Sequence, residues 1–190
     1  MALTRPLVRH LPNIICLIRV ALIWPIAVAL GAGAYFTALL VFIVAAVSDG
    51  LDGYLAKRFN WTSELGKFLD PVADKLLLMT VFIEAAWLAL VPWWLTAAVV
   101  ARDVMIGLGA LVFRLWMGPL RGRPTVLSKV NTAAQLGYVM LVLLNATTNL
   151  PPPEVLEACA WLTLASTVLS GLHYLATFTR RAWEQPARAA

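Results

Sequence analysis

The chain has few charged residues for its length. Of its 190 residues, 13% are charged and 61% are hydrophobic, whereas a soluble domain has about 25% charged and about 45–50% apolar residues. This composition excludes an ordinary soluble domain and indicates an integral membrane protein. The length predicts one compact unit.

Cysteine is also scarce, and several common site signatures are missing. Cys16 and Cys159 lie in separate apolar runs without a Cys-x-x-Cys pair, so neither a disulfide framework nor a cysteine zinc site is expected. The sequence contains no Gly-x-Ser-x-Gly elbow and no phosphate-binding loop of the Walker type. Hydrolases and nucleotide-binding enzymes that depend on those motifs are therefore not favoured.

Long apolar segments are what the chain has in excess. Each approaches the roughly 20 residues that a helix needs to cross a bilayer core of about 30 Å. Turn-forming stretches separate them, among them GAGA at 31–34 and NATTNLPPPE at 145–154. The fold predicted is therefore an all-α membrane protein with six transmembrane helices in one bundle. The predicted spans are residues 13–31, 34–56, 67–90, 93–117, 126–147 and 155–178.

Among the connections between the spans, lysine and arginine occur at alternate ones. They occur before the first span, after the second, after the fourth and in the tail, while the other three loops have none. The positive-inside rule then predicts that both termini are cytoplasmic. The net charge of +5 arises beside apolar spans, where basic residues meet lipid headgroups, so the expected partner is the bilayer and not nucleic acid.

Three regions follow from this layout. Residues 13–178 form the predicted six-helix domain, and residues 179–190 form a cytoplasmic tail. Residues 1–12 form an N-terminal interfacial segment in which Pro6 and Pro12 limit regular structure. A short interfacial helix and an irregular tail remain alternatives there.

Four aspartates lie near the cytoplasmic ends of the second and third predicted spans. Asp49 and Asp52 are three residues apart, and Asp70 and Asp74 are four apart. Each pair shares a helix face, so the two pairs can face each other. Four such carboxylates repel one another unless a divalent cation neutralises them. Oxygen ligands favour Mg²⁺, Mn²⁺ or Ca²⁺, and carboxylate-held Mg²⁺ keeps positions open for substrate phosphates.

Residues around the aspartates fit phosphate chemistry beside a membrane. Gly53 and Gly66 permit a ligand to approach the backbone, and Lys57 and Arg58 offer cations. Pro71 leaves two alternatives: Asp70 caps a helix with Pro71 at its first position, or the helix starts near residue 63 and is kinked at Pro71.

The stretch Asp-x-x-Asp-Gly-x-x-Ala-Lys, eight residues, then Gly-x-x-x-Asp-x-x-x-Asp at 49–74 resembles the signature of the CDP-alcohol phosphatidyltransferase family. Every spacing agrees. The one departure is Lys57, where the family has Arg, although Arg58 follows directly. Lys lacks the bidentate fork of Arg, so the departure concerns the detailed phosphate contact.

The resemblance implies a two-metal site. It makes Asp49, Asp52, Asp70 and Asp74 ligands of two divalent ions, Mg²⁺ or Mn²⁺, and Asp74 also the general base. It implies CDP-diacylglycerol as donor, CMP as leaving group and a homodimer. Positions of the motif expected to bind the CDP-lipid are Gly53, Ala56, Lys57, Arg58 and Gly66. Arg19 in NIICLIR is interpreted as facing the donor phosphates, with snorkelling to the headgroups as the alternative.

The second half of the chain bears on the acceptor alcohol. Arg102 and Lys129 are candidates for binding an anionic glycerol-based acceptor, because ionisable residues within spans are functional candidates by default. Arg121 and Arg123, in the loop after the fourth span, are further candidates because they could supply cations for an acceptor phosphate. An alternative for Arg102 is a structural pair with Asp103.

Residues 101–110 and 123–135 resemble stretches of two subfamilies. Phosphatidylglycerophosphate synthases have basic residues at the positions that Ala110 and Asn131 occupy here, so this chain lacks those two cations. In CMP-forming cardiolipin synthases, the stretches resemble Ser-Arg-Asp-Val-Met and Pro-Thr-x-x-Ser-Lys-Val-Asn-Thr-Ala-x-Gln, close to residues 101–105 and 124–135 here. The resemblance therefore favours phosphatidylglycerol as acceptor, with glycerol 3-phosphate as the alternative.

A small membrane transporter is the alternative from another class of protein. In that case the four aspartates would line an ion pathway, but the sequence shows no inverted repeat that would support this alternative. The expected location of the chain is a bacterial inner membrane with the site at the cytoplasmic face.

Overall fold

Six α-helices follow one another along the part of the chain that the computed structural model describes. It describes the backbone of residues 5–59, 64–117 and 125–184, and side chains within 17–48, at Gly50, and within 73–112 and 125–179. The helices are α1 (Arg5–Gly31), α2 (Tyr35–Phe59), α3 (Glu64–Trp87), α4 (Trp93–Met117), α5 (Val126–Thr148) and α6 (Pro153–Glu184). The all-α class is confirmed.

The helix bounds match the predicted spans closely, except at the two ends of the chain. The first helix starts at Arg5 and is continuous to Gly31, so the irregular-tail alternative is wrong for residues 5–12. Pro6 lies in the first turn of the helix. Backbone N–H groups in that turn form no intrahelical hydrogen bonds, so proline is tolerated there. Pro12 removes one helical hydrogen bond, and the helix continues past it. The interfacial position of this segment stays a prediction.

Three helical segments within the described residues are long and apolar enough to cross a membrane. They are Trp93–Val112, Val126–Thr148 and Pro153–Thr179, and shorter apolar helical stretches run over Leu17–Gly31 and Tyr35–Ser48. Large apolar side chains are exposed along these helices, as a lipid-facing surface requires. The number of six spans and the orientation of the termini stay predictions.

The chain divides into two compact units, the first comprising residues 1–91 and 139–152. In this unit α1 packs against both α2 and α3. Its core is apolar: Ile26, Leu30, Phe42 and Phe82 are fully buried.

Two helices of this unit end at a residue in the left-handed backbone conformation, and both ends have the same hydrogen-bond pattern. After α1, Gly33 has φ +71°, and the N–H groups of Gly33 and Ala34 donate to Leu30 and Ala29 at 3.0 and 2.8 Å. This is a Schellman cap. After α3 the left-handed position belongs to Ala89, with φ 57°, where a Cβ is sterically unfavourable.

The second unit comprises residues 92–138 and 153–190. Here α4 packs against α6, and the unit also includes the first part of α5. Leu95 and Val99 are buried, as expected for a core. The same interior also buries many polar side chains: Thr96, Arg102, Asp103, Asn131, Gln135, Thr163, Thr167 and Ser170.

Candidate active site

The four aspartates lie on two successive helices. Asp49 and Asp52 belong to α2, and Asp70 and Asp74 belong to α3. The end of α2 at Phe59 and the start of α3 at Glu64 are close in sequence, so the acidic parts of both helices adjoin one connection. The side chain of Asp74 is half-buried, whereas the side chains of the other three lie outside the described residues.

The helix α3 runs without interruption through Asp70 and Pro71. Of the two alternatives for Pro71, the helix that starts before Asp70 is therefore the one observed, and capping by Asp70 is wrong. Asp70 and Asp74 are consequently one turn apart within a continuous helix.

The residues expected to bind the CDP-lipid are placed by their backbone. Arg19 lies in α1, and its side chain is buried at 1% exposure. The facing of Arg19 towards the donor phosphates and its snorkelling to the headgroups both stay predictions. The others are helical, and their side chains lie outside the described residues: Gly53, Ala56, Lys57 and Arg58 in α2, and Gly66 in α3.

Arg102 is held in a buried cluster that joins three helices of the second unit. Its Nη1 donates to Asp103 Oδ1 at 2.6 Å, and the two side chains are 4% and 1% exposed. Its Nη2 donates to Ser128 Oγ on α5 at 3.1 Å and to Ser170 Oγ on α6. The structural pair between Arg102 and Asp103 is thus observed, and the carboxylate compensates the buried positive charge.

Local features place the two serines beside Arg102. Thr125 caps α5, since its Oγ1 accepts the N–H of Ser128 at 3.3 Å. Gly171 follows Ser170, and a Cβ at Gly171 would lie 3.6 Å from Arg102 Cγ. The backbone of α6 at Gly171 therefore lies beside the Arg102 stem, with room for a methyl group between them.

A second polar cluster joins α5 and α6. Asn131 is 0% exposed, and its Oδ1 accepts from Ser166 Oγ and Thr167 Oγ1, both at 2.9 Å. Gln135 lies one turn further along α5 and is also 0% exposed. These side chains form a buried, uncharged polar region.

The remaining acceptor candidates are placed differently. Lys129 is exposed near the start of α5, beside the half-buried Ser128. Arg121 and Arg123 lie outside the described residues.

Most of the helical region matches a known family. A sequence profile of CDP-alcohol phosphatidyltransferase matches residues 9–169. The chain belongs to the CDP-alcohol phosphatidyltransferase family. The family expectation drawn from the aspartate motif is therefore confirmed.

Named relatives within this family fall into two groups. The chain is 31% identical to a cardiolipin synthase (CMP-forming) of Rattus norvegicus over 86% of its length, and 30% identical to a probable cardiolipin synthase (CMP-forming) of Drosophila melanogaster over 87%. It is 31% identical over 74% of its length to a CDP-diacylglycerol–glycerol-3-phosphate 3-phosphatidyltransferase of Bacillus subtilis, of which it covers 72%. The chain spans 61% and 56% of the rat and fly proteins.

The sequence analysis did not identify the hydroxyl residues of α6 in this family member. Ser166, Thr167 and Ser170 contact the polar residues of α4 and α5. Their spacing of one, three and four residues along an apolar helix places them on one face, and that periodicity is the signal that could have identified them.

Proposed function

We propose that this chain is a membrane-embedded phosphatidyltransferase that transfers the phosphatidyl group of CDP-diacylglycerol to an alcohol and releases CMP. The observation that carries the proposal is the acidic motif. All its spacings agree with the family signature in a chain that belongs to the family. The two acidic pairs also belong to successive helices that flank one short connection.

The donor set suits a divalent metal. The four proposed ligands are all carboxylates, which favour hard ions such as Mg²⁺ and Mn²⁺. Asp49, Asp52, Asp70 and Asp74 would hold two such ions. When bound, the ions would offset the charge of the pyrophosphate and of the departing CMP.

The reaction proposed is a substitution at phosphorus. A hydroxyl oxygen of the acceptor forms a bond to the phosphorus attached to diacylglycerol, the bond from that phosphorus to the CMP oxygen breaks, and CMP leaves. Asp74 takes the hydroxyl proton as general base. Arg19, Gly53, Ala56, Lys57, Arg58 and Gly66 are proposed to bind the CDP-lipid.

Phosphatidylglycerol is the acceptor that we favour, which would make the product cardiolipin. Asn131 stands where phosphatidylglycerophosphate synthases carry a cation, and here it lies in an uncharged hydrogen-bonded region. The charge of Arg102 is already paired with Asp103. A dianionic phosphate would find little unpaired positive charge in this region, whereas a phosphodiester lipid with one negative charge needs less.

Acceptor binding is proposed for Arg102, Lys129, Arg121 and Arg123. Lys129 supports this assignment because its side chain is exposed and can meet an anionic headgroup at the bilayer surface. Glycerol 3-phosphate remains the alternative acceptor, since relatives of both kinds match the chain.

The setting proposed for the enzyme is a homodimer of six-span subunits in a bacterial inner membrane. Both termini and the active site would lie on the cytoplasmic side. The alternation of basic connections supports this orientation.

The deciding experiment is a parallel assay of the purified protein in mixed micelles. CDP-diacylglycerol and Mg²⁺ or Mn²⁺ are supplied with either phosphatidylglycerol or glycerol 3-phosphate, and CMP and the lipid product are measured. We expect cardiolipin and metal-dependent CMP release. Phosphatidylglycerophosphate as the product would establish the alternative acceptor, and no alcohol-dependent CMP release would overturn the proposed activity.

Asp74→Asn tests the general base against a matched control in the same helix. We expect a loss of at least about a hundredfold in turnover, since general acid–base catalysis contributes about 10²–10⁴-fold. Glu84→Gln also neutralises a half-buried carboxylate of α3 and should retain turnover. Unchanged CMP formation by Asp74→Asn would contradict the assignment.

A further inference from the structure

Two buried carboxamides on α5 present hydrogen-bonding atoms that the described residues leave unused. Gln135 is 0% exposed, and neither Oε1 nor Nε2 has a hydrogen-bond partner among the described residues. The Nδ2 of Asn131, one turn earlier, likewise has none there. Buried polar groups are normally paired, because leaving them unpaired costs free energy.

The remaining groups of this region are engaged. Asn131 Oδ1 accepts from hydroxyls of α6, and Nδ2 is the end of this amide that has no partner among the described residues. Ser166 Oγ also lies 2.9 Å from Thr163 O. What is left over is two amide donors and one carbonyl acceptor on adjacent turns of one helix.

That combination is complementary to an alcohol. A hydroxyl group donates one hydrogen bond and accepts others, so it can pair with Gln135 Oε1 and with an amide N–H together. A phosphate or carboxylate oxygen only accepts and would leave Gln135 Oε1 without a donor. The buried region also lacks an unpaired cation among its described members, since Arg102 pairs with Asp103.

We infer that Asn131 and Gln135 bind an uncharged hydroxyl of the acceptor, namely the secondary hydroxyl of the glycerol headgroup that does not react. This inference rests on the proposed function and adds residues that recognise the acceptor. It makes Gln135 a determinant of which headgroup is accepted.

The test compares two acceptors that differ by this hydroxyl. Phosphatidylglycerol and phosphatidyl-1,3-propanediol share the reacting primary hydroxyl, and the second lacks the secondary one. For the wild-type protein we expect kcat/KM to be at least about tenfold higher with phosphatidylglycerol, because the analogue leaves the amides unpaired. In Gln135→Leu this ratio should fall to about one.

Thr163→Val is the matched control. Thr163 is 2% exposed in the same unit, and its Oγ1 donates to Cys159 O within its own helix at 2.8 Å. This variant also removes a buried hydrogen-bonding group and should keep the wild-type ratio. The ratio separates recognition from general damage, because damage lowers both activities together.

Two outcomes overturn the inference while the proposed function stands. One is a wild-type ratio near one, which shows that the hydroxyl is not recognised. The other is a high ratio that persists in Gln135→Leu. If Gln135→Leu does not fold, Gln135→Met replaces it. The proposed function fails by a separate result, which is the absence of CMP release with phosphatidylglycerol.

Discussion

Asp103→Asn removes the negative charge that faces the buried guanidinium of Arg102 and preserves the size of the side chain. The Nη1–Oδ1 distance is 2.6 Å, and the two side chains are 4% and 1% exposed, so water cannot replace the lost charge. Removing one partner of a buried ion pair lowers the free energy of unfolding by about 3–5 kcal/mol. For a chain of this length, about 2–4 °C of melting temperature corresponds to 1 kcal/mol, which predicts a fall of about 6–20 °C.

The measurement is thermal unfolding in detergent micelles, followed by the fluorescence of the eight tryptophans. Glu157→Gln, at an exposed acidic residue of α6, is the control and should shift stability by at most about 0.5 kcal/mol. The double variant Arg102→Met/Asp103→Leu removes both charges, and its melting temperature should fall less than that of Asp103→Asn alone. Equal losses, or a melting temperature of Asp103→Asn close to wild type, would refute the pairing argument.

Three further predictions concern single substitutions at Ala89 and Gly171. Ala89→Gly should raise the free energy of unfolding by about 0.5–1 kcal/mol, because Ala89 has φ 57° and glycine adopts this conformation without a Cβ clash; chemical or thermal unfolding measures it, and a destabilised variant contradicts it. Gly171→Ala should be tolerated, since its Cβ would meet Met105 Cε at 3.5 Å and Arg102 Cγ at 3.6 Å, ordinary contact distances. Gly171→Leu should instead displace the Arg102 side chain and lower both the melting temperature and the activity, and a Leu variant as stable as the Ala variant would contradict this.

Much of the fold could be predicted because the signals are local. Apolar segments of bilayer length are bounded by glycine, proline and polar turns, and these fix where helices begin and end. The aspartate motif depends only on spacing within and between two neighbouring helices. It was therefore enough to indicate the family that the profile match confirmed.

Prediction was weaker wherever proline or a charge had two possible environments. Pro12 is compatible with a break or with a helix that continues past it, and the structure has the continuous helix α1. The burial of Arg19 at 1% exposure belongs to a helix, α1, that packs against both α2 and α3. Neither outcome is encoded in the residues adjacent to these positions.

The sequence alone determined the helices, their apolar character and the order of the acidic residues, because hydrophobic length and turn chemistry act over a few neighbouring residues. The contact of Arg102 with Ser170, 68 residues away, and that of Asn131 with Thr167 on another helix arise from the packing of the helices. Those pairings depend on the rotation and approach of α6 against its neighbours. Side chains packed between helices set this arrangement, and the pattern of any one helix does not.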